Sequence, residues 1–148
     1  MYAQPFLHRY RIICAMAIWL ALSLAANAHA TAPAPTDCDG YSQAGRLTCL
    51  RAAATASEVK LAQSHQVLVV AIAAWYEDAR YQATAKRSLA TADRAFATYR
   101  AAQCELNKAL GGGAIGAALQ MRQLICVEAL NTARAAQLGQ WGTNLGQR

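Results

Sequence analysis

The sequence predicts a small all-α domain, about three antiparallel helices stapled by disulfides. Three observations predict it. From Leu47 to Leu110 the chain has no Gly and no Pro, and it is rich in Ala, the residue with the best helix propensity. Apolar residues recur at alternating spacings of three and four, which gathers them on one face of a helix. Beyond the N-terminal apolar run lie four cysteines, Cys38, Cys49, Cys104 and Cys126, an even number suited to disulfides.

The N-terminus reads as a targeting segment. Arg9 and Arg11 give a basic start without an acid, Ile12 to Ala26 is almost wholly apolar, and Ala28-His29-Ala30 supplies small residues around a cleavage point. Residues 1–30 are therefore expected to be a signal peptide cleaved near Ala30, with Cys14 an ordinary residue of that segment. The apolar run is slightly short for a membrane span, so an uncleaved anchor is the lesser reading and the only membrane attachment expected. Export places the remaining 118 residues, one domain's worth, in an oxidising compartment, the periplasm or beyond.

The elements follow in order. Residues 31–37 hold two of the three prolines and read as a flexible lead-in. The first helix carries Leu61, His65, Leu68, Ile72 and Trp75 on one face. Val67 to Ile72 contains four β-branched residues, so a short buried strand competes there; helical context on both sides favours helix. A patch apolar all round suggests burial on more than one side, which a homodimer would satisfy. The break to the second helix is expected near Tyr81 to Arg87, with Ser88 as its cap. That helix presents Leu89, Ala92, Phe96, Tyr99, Gln103, Leu106 and Leu110 as a seam. Gly111-Gly112-Gly113 stops it, since glycine enters left-handed conformations without steric cost. A third helix is expected from about Ile115 to Leu138, with residues 139–148, which include three glycines, as a frayed tail. The folded domain is thus expected over residues 38–138.

Four cysteines allow three pairings. A hairpin turning near Gly112 brings Cys104 and Cys126 to comparable distances from the turn, so Cys104–Cys126 is the simplest choice. Cys38–Cys49 then ties the lead-in to the first helix. Redox and metal chemistry are disfavoured: there is no Cys-x-x-Cys, and His65 is the only histidine beyond the signal segment, so no zinc set with local pair spacing exists. No cofactor is expected.

Charge narrows the partners. The chain carries 14 basic and 8 acidic residues; without Arg9 and Arg11 the net charge is +4, a mild excess that reads as spread along the chain. Nucleic acid binding would want a clustered basic stripe and is not expected. The triple glycine lacks the Gly-Lys-Ser/Thr of a phosphate loop.

Two blocks carry a family resemblance. Leu89, Ala92, Asp93, Phe96, Tyr99, Arg100 and Cys104 follow a Leu-x-x-Ala-Gln-x-x-Trp-x-x-Tyr-Arg-x-x-x-Cys pattern, with Asp93 for Gln and Phe96 for Trp. Cys126, Leu130, Asn131 and Arg134 follow Cys-x-x-x-Leu-Thr-x-x-Arg, with Asn131 for Thr. In the earlier helix Glu58 stands for Asp, Leu61 matches, Ala62 replaces Asn and His65 replaces Tyr. From Cys38 to Leu138 the chain resembles a divergent member of the LprI-like family, small exported bacterial domains named for lysozyme inhibition.

The resemblance implies a non-enzymatic protein-binding domain whose partner is lysozyme or another peptidoglycan hydrolase, blocked at its cleft. An immunity protein against a cell-wall toxin and a homodimeric envelope-stress protein are the alternatives. Tyr99, Arg100, Arg134, Glu77 and Asp78 are the candidate partner-binding or structural residues. For Arg100 and Arg134 the structural reading is an inter-helix ion pair, with Glu105, Glu128 or Glu58. Glu77 and Asp78 point about 100° apart on a helix, which argues against paired catalytic carboxylates; they read as a solvated face, or as the acidic patch needed to approach a basic lysozyme. His65, on an apolar face, reads as a core residue. Trp75, Tyr76 and Tyr81 read as core or as an aromatic anchor for a partner.

Overall fold

The computed structural model describes residues 38–114 and 116–147. The signal segment, its cleavage point and the lead-in at 31–37 lie outside the described residues. Three helices follow one another: α1 (Gln43–Ala74), α2 (Ala79–Ala109) and α3 (Ala118–Gly146). Consecutive helices are antiparallel, so α1 and α3 run the same way. α3 packs along most of α1, while α2 lies mainly against α3 and barely touches α1. Val67 to Ile72 is helix, with Leu68 and Ile72 buried and Val67 and Val70 about half exposed.

Each end has a local cause. Ser42 caps α1, its Oγ accepting from the Gly45 N–H. The chain leaves α1 at Trp75 in an extended conformation and re-enters helix after Asp78. The break therefore precedes the expected position at Tyr81 to Arg87, and Ser88 sits exposed inside α2 instead of capping it. Gln82 explains the shift: its Nε2 donates to the carbonyls of Trp75 (2.8 Å) and Glu77 (3.2 Å), supplying donors that the end of α1 would otherwise lack. No Gly or Pro is needed. At the second turn Gly112 has a positive φ of 57°, as the triple-glycine signal foretold for the end of α2, and Gly116, outside that signal, has one of 65°.

Both expected disulfides are present, Cys38–Cys49 and Cys104–Cys126. The core has two parts. Cys38, Leu50 and Met121 close one end, with Leu47, Leu124 and Ile125 around them. Leu68, Ile72, Leu89 and Leu138 fill the other, with Leu61, Val69, Ala85 and Leu145 alongside.

The expected frayed tail is instead helix, continuous to Gly146. α1 extends far enough to give these residues a surface: Leu138 and Gly142 are buried, and Leu145 joins the second core cluster. Gly142 permits the close approach. A Cβ there would lie 3.0 Å from Val67 Cγ1 and 3.4 Å from the Leu68 backbone nitrogen. Gly142→Leu should therefore lower stability by about 1–2 kcal/mol despite its better helix propensity, because the added side chain must push α3 off α1. Urea denaturation checks this; a variant as stable as the parent would mean that α3 does not seat here.

Candidate functional site

The Cys104–Cys126 bridge sets the register between α2 and α3. From it, each step back along α2 is matched by a step forward along α3. Arg100, one turn before Cys104, thereby meets Asn131, one turn beyond Cys126. Arg100 Nη1 donates to Asn131 Oδ1 at 2.6 Å. Asn131 is fully buried and donates from Nδ2 to Ser57 Oγ on α1 at 3.0 Å, and that hydroxyl donates to the Ala54 carbonyl at 2.6 Å. One side-chain line thus crosses all three helices.

A second line lies further along. Asp93 on α2 takes Arg134 Nη2 from α3 at 3.3 Å on one oxygen and His65 Nε2 from α1 at 3.0 Å on the other. Arg134 Nη1 also donates to Gln137 Oε1 at 2.6 Å. Phe96 lies between the two lines, its ring 5.9 Å from the Arg100 guanidinium carbon and 5.8 Å from that of Arg134. Trp141 flanks Arg134 from the far side at 5.6 Å. Among the described residues Arg134 Nε is buried without an acceptor.

This arrangement corrects the expected partners. Arg100 and Arg134 hold Asn131 and Asp93, not Glu105, Glu128 or Glu58. The register is the reason: Glu105 sits beyond Cys104, where it meets Lys108 and Gln123, and Glu128 caps the hydroxyl of Thr132 on its own helix. His65 is not a plain core residue, since its half-exposed ring pairs with Asp93. Ser57 and Gln82 were not singled out from the sequence, and Asp93 entered only as the residue standing for Gln in the family pattern. Asp93 had a further signal, as the one acid between Ala79 and Cys104, seven residues before Arg100; Ser57 and Gln82 had none.

Tyr99 is exposed on the flank of α2 and takes no part in these lines. Glu77 and Asp78 also stand apart, in the loop between α1 and α2. Tyr76 at its tip is 96% exposed, whereas Trp75 is partly buried. Gln82 clamps the loop from inside, and Arg80 Nε pairs with Asp78 at 3.4 Å. Beside it opens an apolar groove of about 540 Å³, walled by Leu68, Ile72, Trp75, Leu89, Trp141 and Leu145, with Arg134 as its charged edge.

Chemically, the polar groups of the two lines are engaged with one another, which suits positioning of helices. The loop is different: a fixed, exposed Tyr-Glu-Asp tip whose aromatic ring and carboxylates face solvent. No curated protein and no solved structure matches the chain. A family pattern does, that of lysozyme inhibitor LprI over residues 37–138, which spans both disulfides, both polar lines and the loop. The chain belongs to the LprI lysozyme inhibitor family.

Proposed function

We propose that the protein is an exported, non-enzymatic binder that inhibits a lysozyme-like peptidoglycan hydrolase in the periplasm by seating the Tyr76–Asp78 loop in its cleft. Family membership supports inhibition and a protein partner. The disulfides fit an oxidising compartment. The observation that carries the assignment of the surface is the loop itself. It is the most exposed aromatic position of the described chain, held from behind by Gln82, so little ordering entropy is lost when it binds. Its two carboxylates answer the charge problem of a +4 protein approaching a basic hydrolase: long-range repulsion is offset where Glu77 and Asp78 lead.

Lysis of a peptidoglycan suspension by several lysozyme types tests this. The oxidised protein should slow lysis in a dose-dependent way, and Y76A/E77Q/D78N should need at least about 10-fold more protein for the same effect, as expected for an interface anchor. The variant lies in an exposed loop and should melt like the parent. No effect of the parent on any lysozyme at high excess would refute inhibition; an effect that the triple variant keeps would refute the loop.

A further inference from the structure

Three of the arginines in a basic excess that reads as spread along the chain are aligned on one ridge of α2. Arg80, Thr84, Arg87, Thr91, Arg94 and Thr98 alternate at four and three, so all six share a face. That face lies about 180° around the helix from Leu89, Phe96 and Arg100, which face the bundle. The three arginines recur every seven residues, roughly 10.5 Å apart along the axis. The threonines hold them in line. Thr84, Thr91 and Thr98 each donate to the carbonyl four residues back, at 2.8, 3.1 and 3.1 Å. Arg87 and Arg94 in turn donate to Thr84 and Thr91, at 2.9 and 3.1 Å. Asp93, the one acid between Ala79 and Cys104, points inward to His65 and Arg134. Among the described residues, only Arg80 of the three has an acidic neighbour, Asp78, in an exposed pair of little strength.

We infer that this ridge docks the protein on the surface of a bilayer containing anionic phospholipid. Charge complementarity names the sign of the partner, and shape names its kind. A single file of cations along the crest of a convex helix touches a plane along a line; a linear polyanion would want cations on two sides of a channel. Tyr81 and Tyr99 add a second reason. They are 48% and 53% exposed and lie eighteen residues, five whole turns, apart on one flank of the ridge. Tyrosine favours the level of lipid headgroups, where its ring and hydroxyl are both accommodated. Docked this way, α1 and α3 face away from the lipid and the Tyr76–Asp78 tip projects beyond the end of the ridge. The inference rests on α2 alone and stands whether or not a hydrolase is inhibited.

The test is co-sedimentation of the exported, oxidised protein with vesicles of phosphatidylcholine alone or with 30% phosphatidylglycerol, at low and high salt. Binding should need the anionic lipid and should fall steeply by about 0.5 M salt, where screening shortens the reach of each charge to a few ångströms. Each arginine near such a surface is worth about fivefold in partitioning, so R80Q/R87Q/R94Q should bind on the order of 100-fold more weakly. R51Q/K60Q/R122Q changes the net charge equally but lies on α1 and α3, and should lose less than about 10-fold. All six positions are exposed, so circular dichroism should show both variants folded. No anionic-vesicle binding, equal loss in the two variants, or binding of soluble long-chain polyphosphate without vesicle binding would overturn the proposal.

Discussion

Replacing Cys104 and Cys126 with alanine should lower the unfolding free energy by about 3 kcal/mol, the loop-closure value for a bridge spanning 22 residues. For a domain of this size total stability is roughly 5–15 kcal/mol, so the loss is a large share, and Tm should drop by ~10 °C or more. The effect should also be uneven. α1 and α3 share a long apolar seam, whereas α2 leans on α3 and scarcely meets α1. The bridge is therefore α2's main tether, and Cys104 is one of the two buried residues of that helix, with Leu89. Amide hydrogen exchange should show protection lost across α2 before α1 and α3. Removing Cys38 and Cys49 should leave α2 protected, since that bridge lies at the start of α1. Unchanged exchange in α2 after loss of Cys104–Cys126 would mean that the seam centred on Leu89 and Phe96 suffices to hold it.

The parts of this architecture legible in the sequence are those encoded by periodicity and by covalent chemistry. Helical periodicity and the triple glycine located the body and the end of α2, and the distances of Cys104 and Cys126 from Gly112 gave their pairing. The expected seam is corrected: Leu89 and Phe96 pack inward, with Arg100 and Cys104, whereas Ala92, Tyr99, Gln103, Leu106 and Leu110 are exposed, because α2 lies mainly against α3 and leaves the rest of its surface to solvent. Helix ends were less legible because side chains far along the chain decide them. Gln82, seven residues beyond Trp75, provides the donors that let α1 stop where it does. The last turns of α3 look frayed when read alone, with three glycines in ten residues. They are helical because α1 reaches far enough to cover Leu138 and Leu145, and Gly142 is what lets the two backbones close.

The same division holds for the site. Arg100 and Arg134 were visible as isolated cations at fixed distances from cysteines, but their partners depend on the α2–α3 register, which only the folded pair reveals. The ridge on α2 shows the converse. Its Arg-Thr spacing was present in the sequence, yet its meaning required knowing which face of the helix packs inward. Three arginines dispersed in sequence, Arg80, Arg87 and Arg94, fall on one line in space, and Asp93, the acid among them, turns away from it.

Asn131 is where these threads meet, and Asn131→Ala should cost about 2–4 kcal/mol. The residue is fully buried and is the only link between the Arg100 guanidinium and the Ser57 hydroxyl. Truncation leaves a charged donor without its acceptor at 2.6 Å, and such a loss costs more than the net worth of the bond, because water does not readily replace it. Ser57 is less affected, since it still donates to the Ala54 carbonyl. The penalty should therefore trace to Arg100. Replacing Arg100 as well, in R100M/N131A, removes the stranded charge while its aliphatic stem still covers apolar surface, and should recover about 1–2 kcal/mol relative to N131A alone. Threonine, which the family pattern has here, is too short to reach both neighbours, so N131T should fall between the parent and N131A. Denaturant titration of these proteins together with the single variant R100M gives the coupling directly. Additive losses in the double variant would show that Arg100 finds water or another acceptor, and that the line from α2 through Asn131 to α1 does not act as a unit.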